Sequence, residues 1–168
     1  MRNRLQNKSG LTILELMITT VIIGILAATA VPRFQTAYEK LNFRTAMRDM
    51  NSTLRLARSM AVADKGQYGV AFNGSDMTVT LFKDLVNTDG QDLVAQDSIV
   101  RIDTLPASIE YLGTDVEGNI FLFRPNGSCR FTGGGLIQTV AHSESLIAIY
   151  LSTITPSTGR VATESHYY

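Results

Sequence analysis

The sequence predicts an α+β protein, with one long amino-terminal helix followed by an antiparallel β domain. Three observations carry this. Residues 11–31 are predominantly apolar, with a single charge, Glu15. Phe43, Met47, Met50, Leu54, Ala57 and Ala61 then recur at alternating spacings of four and three, which is one face of a helix. From Gln67 the composition changes to short strand-forming runs separated by turn residues. A chain of 168 residues has room for one membrane segment and one modest soluble domain.

The chain begins with a basic leader, residues 1–10, carrying Arg2, Arg4 and Lys8 and no acid. These take three of the 15 basic groups, so 12 remain beyond Gly10 against 15 acidic ones. That balance argues against a broadly nucleic-acid-binding protein. The next 21 residues make about 31 Å of helix at about 1.5 Å per residue, enough for a bilayer core of about 30 Å. A secretory signal has a similar start, and Ala28-Thr29-Ala30 offers a small-x-small cleavage site. A plain signal anchor is the other simple reading. Neither accounts for Glu15: a carboxylate near the middle of a spanning helix costs about 2.5–3.5 kcal/mol. Five residues into the run the cost is smaller, but an unpaired carboxylate still calls for a partner. Counting Lys and Arg on both sides of the span does not fix its orientation, since Arg33, Lys40, Arg44 and Arg48 follow it.

Pro32 removes one helical donor and crowds the preceding turn, so a kink is expected between Thr29 and Arg33 rather than a stop. Helical periodicity then continues to about Asp64, with Lys65 in the last turn and Gly66 ending it. The opposite face carries Arg44, Arg48, Arg55 and Arg58, read as a solvated or packing face. Small residues at Ala57 and Ala61 allow a sheet to pack closely.

Strands are expected at 67–72 and 77–82, joined by the hairpin turn Asn73-Gly74-Ser75-Asp76. Residues 87–97 form an acidic loop with Asp89, Asp92 and Asp97, whose spacing does not match an EF-hand. Further strands are expected at 98–103, 108–112, 119–124, 145–152 and 160–163. Pro125-Asn126-Gly127 and 155–159 serve as turns, and 132–135 as a loop.

Chemistry is poorly supplied. His142 and His166 are too few for a metal site, and His142-Ser143-Glu144 reads as a surface loop rather than a triad. Cys129 has no activating neighbours and reads as a free structural thiol. No phosphate-binding loop is present, no cofactor or metal is expected, and the chain reads as a non-enzyme.

Ser9-Gly10-Leu11-Thr12-Ile13-Leu14-Glu15-Leu16-Met17 resembles the class III signal of type IV prepilins and pseudopilins. The resemblance implies a pilin-like fold and a membrane peptidase that cuts between Gly10 and Leu11 and methylates the new amino group of Leu11. Leu11 departs from the commoner phenylalanine, and Ile13-Leu14 exchanges two isosteric residues of the usual pattern. Glu15 becomes the fifth residue of the mature chain, where a neighbouring subunit's amino terminus compensates it during assembly. Four segments follow from this: leader 1–10, transmembrane half-helix 11–31, soluble half-helix 32–65 and β-rich domain 66–168. The implied partners are other pilin or pseudopilin subunits, the prepilin peptidase and an inner-membrane assembly platform. The leader is placed in the cytoplasm and the β domain in the periplasm, with the subunit also in the envelope filament.

Leu56-Ala57-Arg58-Ser59-Met60-Ala61, residues 121–127 and Ser157-Thr158-Gly159-Arg160-Val161 resemble the GspH/FimT group of minor pilins and pseudopilins. Some FimT-type members bind DNA through Gly-Arg-x-Arg. Here Ala162 replaces the second arginine, and DNA contact would require Arg124, Arg130 and Arg160 to converge. The resemblance does not distinguish a type II secretion pseudopilus from a type IV pilus.

Overall fold

The structure is a computed structural model that describes residues 12–86, 97–143 and 146–167. Helix α1 runs from Ile13 to Ala63, and Pro32 lies inside it without ending it. The chain divides into two compact units between Tyr38 and Glu39. The first unit is helical from Ile13 onward, and its large apolar side chains are exposed. Its most apolar 18-residue window has a mean hydropathy of 2.2, long and apolar enough to cross a membrane.

The second unit contains the rest of α1 and, among the described residues, nine strands. β1 (Gln67–Asn73), β2 (Thr78–Asp84) and β3 (Ser98–Thr104) join β5 (Ile120–Phe123) and β6 (Cys129–Arg130) in one antiparallel sheet, ordered β3-β2-β1-β5-β6. β4 (Ile109–Thr114), β7 (Leu136–Ser143), β8 (Leu146–Thr155) and β9 (Arg160–Tyr167) form a second sheet in that order. The six predicted helix positions, Phe43 to Ala61, are all at most 2% exposed. They share one core with Val70, Phe72, Val79, Leu81, Phe121 and Phe123 of the first sheet and Ile137, Ala141, Ala148 and Ile154 of the second.

Specific polar contacts fix the helix on each sheet. Asn51, buried in the helix, donates from Nδ2 to the Met47 carbonyl at 2.9 Å and to the Tyr150 hydroxyl at 2.8 Å. Its Oδ1 accepts from Ser152 Oγ at 3.1 Å. Thr53 Oγ1 donates to Asp103 Oδ2 at 2.9 Å, and Arg101 Nε meets the other carboxylate oxygen at 2.6 Å. These bonds tie the helix to β8 and β3 while satisfying groups that are costly to bury alone. On the opposite face of the first sheet, Phe82 lies over Gly69, and a Cβ there would sit 2.1 Å from the ring. Glycine is the residue that lets the aromatic ring close over β1.

The structure corrects several local expectations. The helix ends at Ala63, and the left-handed turn residue is Lys65 (φ 50°) rather than Gly66. Gly66 instead leads straight into β1. β7, absent from the expected strands, places His142 and Ser143 in a strand backbone rather than a loop; Glu144 lies outside the described residues. It was hidden because its buried face is Ile137, Thr139 and Ala141, whereas Leu136 and Val140 are only half-buried. β9 extends to Tyr167 because it pairs with β8 from Arg160↔Thr155 to Tyr167↔Ala148, despite a largely polar sequence. β6, two residues long, was also unforeseen. It pairs Cys129 with Phe123 and Arg130 with Leu122. The acidic residues Asp89 and Asp92 lie outside the described residues; Asp97 Oδ1 accepts from the Leu85 amide at 3.2 Å.

At the helix end, Tyr68 donates its hydroxyl proton to Asp64 Oδ2 at 2.5 Å. That bond first, then burial and the Asp64 charge, push the Tyr68 pKa from 10.0 up to about 12. The neutral phenol is therefore favoured in the folded state, so its contribution is complete below pH 10 and is lost as pH rises towards 12. Denaturant titrations of wild type and Tyr68→Phe across this range should show an alkaline loss of stability that the variant lacks in part. An identical alkaline profile in both proteins would refute the coupling. Burial likewise pushes the Cys129 thiol from 9.0 up to about 12. Reaction with a thiol reagent at neutral pH should be at least about a hundredfold slower in the native protein than in denaturant.

Candidate functional site

Two regions concentrate the sequence-predicted site residues. In the first, Gly10 and Leu11 lie outside the described residues, and Thr12 immediately precedes α1. Thr12 Oγ1 accepts the Glu15 amide proton at 3.2 Å, and the Thr12 carbonyl accepts the Leu16 amide at 3.2 Å. Thr12 is thus the helix N-cap, with Glu15 at the third helical position of a capping-box sequence. Acidic residues are favoured in a first turn because the amide dipoles there point positive. The Glu15 side chain is exposed, and no cation among the described residues lies within ion-pairing reach of it.

The threonine hydroxyls of the apolar stretch are satisfied locally. Thr19, Thr20 and Thr29 donate to the carbonyls of Leu16, Met17 and Leu26 at 2.8–3.0 Å. Such closure suits a helix exposed to lipid, where an unsatisfied polar group is costly. Just beyond Pro32, Thr36 Oγ1 donates to the Pro32 carbonyl at 3.1 Å. Between Thr12 and Val31, Glu15 is the one charged residue.

The second region is set by Arg58. Its Nε donates to the Gly127 carbonyl at 3.1 Å. It also lies against Gly159, where a Cβ would be 3.3 Å from its Cδ and Nε. Gly127 and Gly159 both have positive φ, 79° and 60°, which glycine adopts without strain. Two turns remote in sequence are therefore gathered under one guanidinium. Arg160 follows directly and lines the same hollow as Arg55 and Arg58. Arg160 thus stands with Arg55 and Arg58 of the helix, whereas Arg124 and Arg130, named with it for a possible DNA contact, do not line the hollow. The i, i+3 spacing of Arg55 and Arg58 was a readable signal, but the turn that brings Arg160 to them was not.

Another helix arginine, Arg44, is engaged elsewhere. Arg44 Nε donates to the Tyr167 hydroxyl at 3.1 Å, and Lys40 stands 4.6 Å from that ring's centre. These contacts fasten the end of β9 to the helix. Cys129 is buried with its thiol held protonated, so it does not present a nucleophile. No group of three or more metal-ligating side chains occurs among the described residues.

The family described as "Prokaryotic N-terminal methylation motif" matches residues 5–31. No curated protein matches the chain in sequence. The fold is similar to that of the type IV minor pilin FimU of Pseudomonas aeruginosa, with a TM-score of 0.50 and 14% identity. The alignment covers 75% of this chain and 90% of FimU. At that identity the likeness concerns the fold. The chain therefore combines an amino-terminal methylation motif with a long helix on antiparallel sheets, a fold similar to that of a minor pilin.

Proposed function

We propose that the protein is a minor pilin or pseudopilin of the GspH/FimT type, working by assembly rather than catalysis. The leader, residues 1–10, lies in the cytoplasm, residues 11–31 cross the inner membrane, and the β domain faces the periplasm. The prepilin peptidase cuts between Gly10 and Leu11 and methylates Leu11. The subunit then passes through the inner-membrane assembly platform into a type IV pilus or a type II secretion pseudopilus. It supports pilus biogenesis or protein secretion there.

The observation that carries this reading is Glu15. It sits in the first turn of an apolar helix, within the matched methylation motif, exposed and without a cationic partner among the described residues. Cleavage after Gly10 creates an amino group with a reference pKa of about 8, mostly cationic at neutral pH. The amino terminus of an adjacent subunit offers the countercharge that lipid does not. Docking therefore compensates a charge whose exposure is unfavourable in the unassembled state, which gives assembly both a driving force and an axial register.

Intact-mass and amino-terminal peptide analysis of the protein from its native envelope should find methylated Leu11 as the first residue. A start after Ala30 would assign ordinary secretion instead. Glu15→Ala should insert and be processed normally, yet enter filaments at about a tenth of the wild-type level or less, read by quantifying the subunit in sheared filaments. Undiminished incorporation would remove Glu15 from docking. Pro32→Ala should leave processing intact and test whether proline at this position affects incorporation.

A further inference from the structure

The arginine hollow has a geometry that the filament reading leaves unused. It is an open concavity of about 760 Å³ beside the end of α1 and the β8–β9 turn. Arg55, Arg58, Ser59, Val62, Arg160 and Val161 contribute to its lining, and no carboxylate among the described residues does. Arg58 is committed in part to the Gly127 carbonyl. Arg55 and Arg160 are exposed, and neither guanidinium pairs with a carboxylate among the described residues. The helix carboxyl end compensates part of this positive charge, since its open carbonyls carry about half a negative charge. That effect fades within the last turn, whereas Arg55 stands two turns before Ala63.

We propose that this hollow binds a carboxylate-bearing, partly apolar peptide segment of another protein subunit. Arg55 and Arg160 supply charge-assisted hydrogen bonds to the carboxylates, and Ser59 is a further polar group in the lining. Val62, 48% exposed, and Val161 offer aliphatic surface for the residues between the acids. Arg58, bonded to the Gly127 carbonyl, completes the cationic lining. These features favour peptide over nucleic acid. Two available guanidinium groups neutralise few phosphates, and a mixed cationic and aliphatic hollow suits side chains better than a sugar-phosphate track.

The proposal rests on the reading of the protein as a subunit that docks with others. Its test is separable, because peptide binding at the hollow does not require cleavage at Gly10. The probe is a short, amidated, fluorescently labelled peptide alternating glutamate and leucine, titrated against the full-length protein in detergent micelles and read by anisotropy. The same peptide with glutamine for glutamate, and an oligothymidylate, serve as comparisons. Saturable binding of the glutamate peptide is expected, weakened by salt and reduced about tenfold or more by Arg55→Gln combined with Arg160→Gln. The thermal midpoint of that variant should match wild type, because the Arg58 bond to Gly127 is untouched. Equal binding of the glutamine peptide, no saturable binding, or full binding by the double variant overturns the proposal. Tighter binding of the oligothymidylate at equal ionic strength also overturns it and assigns the hollow to phosphate.

Discussion

The β domain depends on one helix face being covered by two separate sheets at once. Phe43, Met47, Met50, Leu54, Ala57 and Ala61 form a continuous apolar stripe, and the shared core draws on both sheets. Hydrophobic burial of this kind is strong but non-directional, so it does not by itself fix rotation or register. Directional contacts do that. Asn51 ties the stripe to Tyr150 and Ser152 on β8, and Thr53 ties it to Asp103 on β3. Leaving such buried groups unpaired costs about 1–3 kcal/mol each, enough to disfavour neighbouring registers.

A related economy governs the chain's two ends. In the apolar unit, threonine hydroxyls bond to carbonyls three residues back, and Thr12 caps the first turn. Glu15 is different because its carboxylate has no such local solution among the described residues. At the other end, the polar strand β9 is retained by backbone pairing along its whole length and by Tyr167 beneath Lys40 and Arg44. Side-chain hydrophobicity is a minor part of its attachment. Arg58 performs a comparable task for the glycine turns at Gly127 and Gly159.

The methylation-type start, the apolar helix, its buried face and most strands were legible because each is a local pattern. Hydrophobic periodicity reports which side of an element faces the core, whatever that core turns out to be. β7 and the second half of β9 escaped this reading for a definable reason. β7 buries threonine and alanine while leaving Leu136 and Val140 half-covered, and β9 offers hardly any apolar alternation. The left-handed position at Lys65, rather than at the adjacent glycine, was equally invisible. The hollow was half legible: Arg160 stood out, but the fold sets it beside Arg55 and Arg58, while Arg124 and Arg130 do not line the hollow.

The amino-acid sequence alone determined where the long helix lies, which of its faces is buried, and that a single carboxylate sits in an otherwise apolar run. Those properties follow from residue order within a few turns of chain. Tertiary structure decided that the strands divide into two sheets, that polar β9 belongs to one of them, and that three arginines share a hollow. Such outcomes depend on backbone hydrogen bonds between segments distant in sequence, and a backbone amide carries no side-chain signature by which its partner can be read.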